Sequence, residues 1–255
     1  MITSPSNPLV KELVRLQSRR HRQARGRFII EGKRPLQLAA AAGIEILDQF
    51  VSHDLGGTPV VSGVNTTELA PGPFTKASIR QNPDGVMAVA ALLDTRLDRL
   101  APPPGCLLLV VEAVEKPGNL GAMLRTADAL GVDAVLVADP TTDIHNPNVV
   151  RASQGALFTV PLGVAPTNEV VTWLGRTGIT LVATTPSAAR SLWDADLGGS
   201  VAVAVGTEST GLSTVVLGAA TDEITIPMAG NVDSLNASVT AAIVLSEAAR
   251  QRRQP

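Results

Sequence analysis

The 255-residue sequence contains no tyrosine, two tryptophans and four phenylalanines. So little aromatic surface argues against a sheet that stacks unpaired bases on its rings. A single cysteine, Cys106, excludes an internal disulfide; it lies in an apolar stretch, as a small core residue of a protein from a reducing compartment would. Three scattered histidines with that cysteine make no zinc-ligand pattern, so no metal is expected. No apolar run approaches the roughly 18–20 residues of a membrane-spanning helix. The opening Met1-Ile-Thr-Ser-Pro has neither a basic segment nor an apolar one of the kind that directs export, and a cytoplasmic location is expected. What the chain does have is 45% hydrophobic residues, enough for two modest domains or one large one.

Charge is scarce in total but unevenly placed. The net charge is −2, yet residues 1–34 carry nine cations (Lys11, Arg15, Arg19, Arg20, Arg22, Arg25, Arg27, Lys33, Arg34) against Glu12 and Glu31. The segment is therefore +7 and the remainder −9. A basic arm on an acidic body reads as a nucleic-acid contact. Lys11, Arg19, Arg20, Arg22, Arg25 and Arg27 are the candidates, contacting phosphates and so setting affinity and salt dependence more than sequence choice. With base stacking disfavoured, shape and backbone contacts are left as the mode of recognition.

Hydrophobic periodicity reads as α/β throughout. Helices are expected at Leu9–Leu16 and Pro35–Ala42 and within Thr75–Gln81. Strands are expected at Arg27–Ile30, Ile46–Val51, Pro59–Val61 and Val86–Leu92. Asp98-Arg-Leu-Ala-Pro-Pro-Pro-Gly105 can continue neither a helix nor a central strand and reads as a linker. Beyond it, strands near 106–112, 134–138, 180–184, 201–205 and 222–226 alternate with helices near 119–130, 147–153 and 167–176. A long last helix is expected from about 234 to 252. That alternation predicts a mostly parallel sheet with helices on both faces. The expected domains are thus 1–97, a linker at 98–105, and 106–255.

Three runs in the second domain carry chemistry. In Glu115-Lys-Pro-Gly-Asn-Leu-Gly-Ala-Met-Leu-Arg125, two glycines bracket Asn119 where a strand turns into a helix, so backbone and amide can approach a ligand closely. Arg125 follows among apolar neighbours, either reaching for solvent or aimed at an anion. The run lacks both the Lys-Ser/Thr ending of a P-loop and dinucleotide-site glycine spacing. In Val201-Ala-Val-Ala-Val-Gly-Thr-Glu-Ser-Thr-Gly211, Glu208 sits just past a buried-type strand. In Ile226-Pro-Met-Ala-Gly-Asn-Val-Asp-Ser-Leu-Asn-Ala-Ser238, a strand end passes through Gly230 and Asn231 into a helix entered at Asp233 or Ser234. In open α/β sheets, ligands gather at the carboxyl ends of strands.

Together and in this order, the three runs resemble motifs 1, 2 and 3 of the SpoU/TrmH family of RNA ribose 2′-O-methyltransferases, within the SPOUT superfamily. The resemblance covers about residues 105–255. The N-terminal stretch Ile2-Thr-Ser…Asn7-Pro8…Lys11, with Phe28-Ile-Ile-Glu-Gly32, is similar to the substrate-binding domain that precedes the catalytic one in many members. The resemblance implies a trefoil-knotted C-terminal α/β domain, preceded by a smaller α/β substrate-binding domain. It implies an S-adenosylmethionine-dependent enzyme that is a homodimer through the knotted domain. Ribosomal RNA is the expected substrate and tRNA the alternative. By motif position it places the catalytic role on Arg125, with Asn119, Glu208, Ser234 and Asn236 orienting it, the cofactor and the ribose. Gly206, Ile226, Met228 and Leu235, and more loosely Ala183 and Thr184, fall at the cofactor. Arg151, in Val149-Val-Arg-Ala-Ser-Gln-Gly155, matches a recurrent family stretch and either binds RNA phosphate or caps its local turn.

The chemistry implied is attack of a ribose 2′-hydroxyl on a sulfonium methyl, which needs in-line placement and loss of a proton. A guanidinium stays protonated up to a pKa above about 12, so stabilising a forming alkoxide demands less of Arg125 than acting as a base. Two other classes fit parts of the sequence: an α/β nucleotide binder using Pro117-Gly118-Asn119 as a phosphate cradle, and a non-catalytic knotted RNA-binding or ribosome-assembly protein.

Overall fold

A computed structural model describes residues 1–252; the last three residues of the expected second domain lie outside the described residues. In chain order, α1 is Pro8–Arg15, α2 Arg19–Arg25, β1 Arg27–Glu31, α3 Lys33–Ala41, β2 Ile46–Val51, β3 Asn65–Glu68, α4 Pro71–Ala77 and β4 Val86–Ala91. Then come β5 Leu107–Glu112, α5 Pro117–Leu130, β6 Ala134–Ala138, α6 Pro147–Ser153, α7 Ala156–Thr159, β7 Leu162–Ala165 and α8 Thr167–Thr177. The chain finishes with β8 Thr180–Thr184, β9 Arg190–Ser191, β10 Val201–Val205, α9 Thr214–Ala219, β11 Asp222–Thr225 and α10 Ala237–Arg252.

Two compact units result, one of residues 1–94 with 143–159, the other, among the described residues, of 95–142 with 160–252. The first differs from the domain expected at 1–97 by annexing α6 and α7, whose sequence neighbours lie in the second. The 98–105 segment belongs to the second unit: Val164 N–H donates to Thr95 O at 2.8 Å, and a Cβ on Gly163 would stand 2.6 Å from Leu97 and 2.9 Å from Leu100. The three prolines thus break regular structure without freeing the chain from the body it precedes.

The first unit holds a sheet in the order β1-β4-β2-β3, antiparallel except for the β2–β3 pair. Alternating positions of its strands (Ile29, Phe50, Met87, Val89) pack with Val10, Leu13 and Leu16 of the first helical segment and Phe74 of α4. Asn7 starts α1 by accepting from Leu9 N–H, and Pro8 occupies a position where no backbone donor is needed. Pro59–Val61, expected as a strand, is not one. The buried Gln49 side chain accepts from Val60 and Val61 N–H and donates to Val61 O, satisfying the backbone without a ladder. α4 ends at Ala77, short of the expected Gln81, because the buried Glu31 carboxylate accepts from Ser78 Oγ and from Ile79 N–H and draws the chain out of the helix.

Arg22 departs most from its sequence reading. It is 1% exposed, and four of its N–H groups are occupied: two on Asp143 Oδ2 (2.9 and 2.6 Å), one each on Leu16 O and Gln17 O. The guanidinium takes the carbonyls of Leu16 and Gln17, just past the end of α1, and anchors the 143–146 turn, so it has no face for RNA. Asp143 also accepts from His145 N–H at 2.9 Å, while His145 Nε2 accepts from Leu93 N–H at 3.0 Å and the ring packs on Phe28. Burial works against the charge of Asp143, but the bonds from His145 and Arg22 outweigh it and hold its carboxyl well below the usual range.

In the second unit every strand pairing is parallel, in the order β7-β6-β5-β10-β8-β11-β9. The continuous apolar runs of β5, β6 and β10 are buried at every position, as a sheet covered on both faces requires. Because the strands are parallel, the loops leaving β5, β8, β10 and β11 share one edge of the sheet.

Candidate active site

The polar residues of all three motif runs meet at that edge. β5 ends in Glu112, and the chain passes through Lys116 into α5, whose first turn carries Asn119. β10 ends at Val205, and the loop that follows carries Glu208. After β11, residues 226–236 have no regular structure, and α10 starts at Ala237 rather than at 233–234. The helix begins later because Asn236 is its cap: Asn236 Oδ1 accepts from Ser238 N–H at 3.0 Å and from Ser238 Oγ.

Glu208 is the hub. Its Oε1 accepts from Asn119 Nδ2 at 2.8 Å and from Asn236 Nδ2, and its Oε2 pairs with Lys116 Nζ. Asn236 also reaches Asn119 Oδ1 at 3.3 Å. The Lys116 ammonium, with the Asn119 amide, holds the Glu208 carboxyl below the ordinary carboxylate range. Lys116 was not singled out from the sequence; a lysine beside Pro-Gly reads as a solvated loop residue.

A cavity of about 360 Å³ opens beside this cluster, lined by Thr184, Gly206, Ile226, Met228, Ser234 and Leu235 among others. Those six were all expected at the site, and they enclose a space in the range of small-molecule pockets. Ala183 is different: it is wholly buried, with β10 and β11 on either side, and does not line the cavity. Gly206 is required by sterics. A Cβ there would stand 2.2 Å from the Gly211 backbone, because the 207–211 loop folds back on itself through paired Thr207 and Gly211 bonds of 3.1 Å. Glu112, also missed, fixes the surroundings: buried at the end of β5, it accepts from Thr167 Oγ1, Ser213 N–H and Ser213 Oγ, tying α8 and α9 to the sheet.

Arg125 does not join the cluster. Six residues past Asn119 on one helix, it emerges about 120° around and ~9 Å along the axis. It is exposed there, beside a shallow face formed by Ala122 and Thr126 of α5, Val239, Ala242 and Ile243 of α10, and Trp193. Trp193 is 56% and Val239 45% exposed. In the first unit, Lys11, Arg19, Arg20, Arg25 and Arg27 are exposed, Arg25 lying 3.3 Å from Glu12. Arg151 is exposed on α6, and its carbonyl accepts from the Gln154 side chain at 3.1 Å, so Gln154 serves that turn.

Residues 106–246 match the model of the SpoU rRNA Methylase family, and residues 7–88 that of an MRM3-like substrate binding domain. The chain belongs to the SpoU rRNA methylase family. A solved RNA 2′-O ribose methyltransferase is 43% identical, with a TM-score of 0.86 and 98% of each chain covered. An AdoMet-bound rRNA methyltransferase from Sinorhizobium meliloti is 29% identical, with a TM-score of 0.90, covering 98% of this chain and 97% of that one. The 23S rRNA (uridine(2479)-2′-O)-methyltransferase of Streptomyces viridochromogenes is 31% identical over 250 residues, 93% of this chain and 87% of that relative. The matched methylase range, 106–246, takes in most of the second unit, including the strand ends that carry the polar cluster and the cavity, together with the 143–159 segment of the first.

Proposed function

We propose that this protein transfers the methyl group of S-adenosylmethionine to a ribose 2′-hydroxyl of ribosomal RNA, at the strand-end cluster of its second unit. The observation that carries this reading is the convergence of Asn119, in the first turn of α5, and Asn236, the cap of α10, on the Glu208 carboxylate in the loop after β10, at the mouth of a small-molecule cavity.

The cavity fits the cofactor in kind. Ile226, Met228, Leu217 and Leu235 offer apolar contact for a purine, Thr184, Thr185 and Ser234 offer polar groups, and Gly206 leaves bare backbone. S-adenosylmethionine supplies an activated methyl on a sulfonium when bound there. The chain's own residues do the rest. Gly206 and the 226–235 segment bind, Asn119 and Asn236 orient Glu208, and the cluster directs a ribose hydroxyl at the cavity mouth. The family resemblance supports folding of the 226–235 segment as part of a trefoil knot.

Arg125 is read together with dimer formation. Apolar Ala122, Trp193, Val239, Ala242 and Ile243 share this open face with Thr126, Ser238, Ser246, Glu247 and Arg250, a mixed surface suited to a second copy, and Arg125 adjoins Thr126 on α5. A homodimer covering this face would set Arg125 near an active site, where it binds RNA phosphate or stabilises a forming alkoxide. Lys11, Arg19, Arg20, Arg25, Arg27 and Arg151 of the first unit supply phosphate contacts, and residues 1–97 act as the substrate-binding part. A cytoplasmic location follows from an rRNA substrate; no described helix is long and apolar enough to cross a membrane.

Incubation with methyl-labelled S-adenosylmethionine and deproteinised rRNA or tRNA tests the reading. Label in ribose-methylated nucleosides of rRNA is expected. Label confined to tRNA would move the substrate, and label on bases or in neither RNA would refute the proposal.

A further inference from the structure

A second cavity of about 210 Å³ adjoins the first, sharing Thr207, Glu208, Ser209 and Ala237 and bounded otherwise by Val114, Glu115, Lys116 and Asn119. Its side chains include two carboxylates, Glu115 and Glu208, and one cation, Lys116. Such a lining would repel a polyanion were Lys116 absent. Lys116 is 66% exposed, on a flexible stem, and its ammonium is engaged by Glu208 Oε2. Glu208 does not depend on that bond for its placement, because Asn119 and Asn236 hold Oε1. An exposed lysine–carboxylate pair is screened by water and costs little to exchange.

We propose that Lys116 is a substrate-binding residue: it leaves Glu208 to take a phosphodiester oxygen flanking the target ribose, which sits in this second cavity beside the cofactor cavity. The proposal rests on the methyltransferase reading above. Neutral Asn119, Thr207 and Ser209 suit sugar hydroxyls, whereas the ammonium suits a phosphate as a point charge with three rotatable donors. Exchange also frees Glu208 Oε2 to accept a hydrogen bond from the ribose. The Lys116–Glu208 pair is thus the resting state of a site that opens when RNA supplies a competing anion.

Full-length wild type, K116M and K116R are compared in direct RNA binding across a salt series, without turnover, using a deproteinised rRNA fragment. S-adenosylmethionine binding by calorimetry and steady-state methyl transfer complete the set. For K116M, RNA affinity should fall at least tenfold at moderate salt. The slope of log affinity against log salt should shrink by about 0.7–0.9, one phosphate's worth. Cofactor affinity should stay within twofold, KM for RNA should rise more than kcat falls, and K116R should recover most of the binding. An unchanged slope in K116M that still binds cofactor would overturn the proposal. So would a loss confined to kcat, which would make Lys116 only a support for Glu208. Wild type that binds RNA with the expected slope but transfers no methyl would refute the activity reading, while the K116M slope would still decide the role of Lys116.

Discussion

Two ion pairs, one in each unit, show opposite uses of the same chemistry. Arg22 and Asp143 meet at 2.6 Å with side chains 2% and 12% exposed; Lys116 and Glu208 meet with side chains 66% and 29% exposed. Both carboxyls are held below their ordinary range by their partners. The first pair spends four guanidinium N–H groups on fixed protein acceptors and closes a structure. The second leaves two ammonium donors to solvent beside a cavity and can exchange its partner. Burial with full hydrogen bonding makes a charge structural; exposure at a strand-end cavity keeps it available.

Breaking the buried pair should have the largest effect. Arg22→Ala leaves Asp143 charged, largely buried and without its ion-pair partner, and should destabilise the first unit by about 3–5 kcal/mol. Denaturant unfolding measures this, and a change under 1 kcal/mol would place Arg22 with its solvated neighbours. Next is Gly206→Ala, whose Cβ collides with the Gly211 backbone and shifts the 207–211 loop. Calorimetry should show cofactor affinity lower by tenfold or more, about 1.4 kcal/mol.

Acid sharpens the comparison further. The Asp143 carboxyl titrates lower in the folded chain than in the unfolded one, so its contribution is complete above the unfolded value of about 3.9. It is lost as pH falls through the folded value. Stability should therefore show an arm below about pH 4 that D143N lacks; identical arms would remove Asp143 as its source. The smallest structural effect is expected for Arg20→Ala with Arg27→Ala, both exposed. Stability should change by less than about 0.5 kcal/mol, while the salt slope of RNA binding should fall by roughly 1.4–1.8.

Much of this was legible in sequence for identifiable reasons. β6, β8, β10 and α6 match their expected bounds, and β5 nearly so, because apolar runs and proline starts mark them. The Asn119, Glu208 and Asn236 cluster was legible because each residue follows a strand end with glycine nearby, and parallel strands bring such ends together. What was not legible depended on side chains acting on distant backbone. Gln49 replaced a strand partner at Val60–Val61, and Glu31 ended α4 early. Arg22 could not be told from Arg19 or Arg20 without Asp143, which is 121 residues away. β9, at two residues, has no periodicity to read, and the 143–159 segment gave no sign that it packs in the first unit. Glu112 had a usable signal, a lone carboxylate closing five apolar residues.

The central claim is that the exposed Glu208 hub directs methyl transfer to a ribose hydroxyl. Single-turnover transfer to rRNA by cofactor-loaded Glu208→Gln tests it most directly, since the amide keeps the size but loses the charge and one acceptor. The predicted result is a rate at least ~10²-fold lower, the scale seen when one preorganised polar group is removed from an active site, with cofactor binding retained and any product still ribose-methylated. A wild-type rate in the Gln variant would contradict the account.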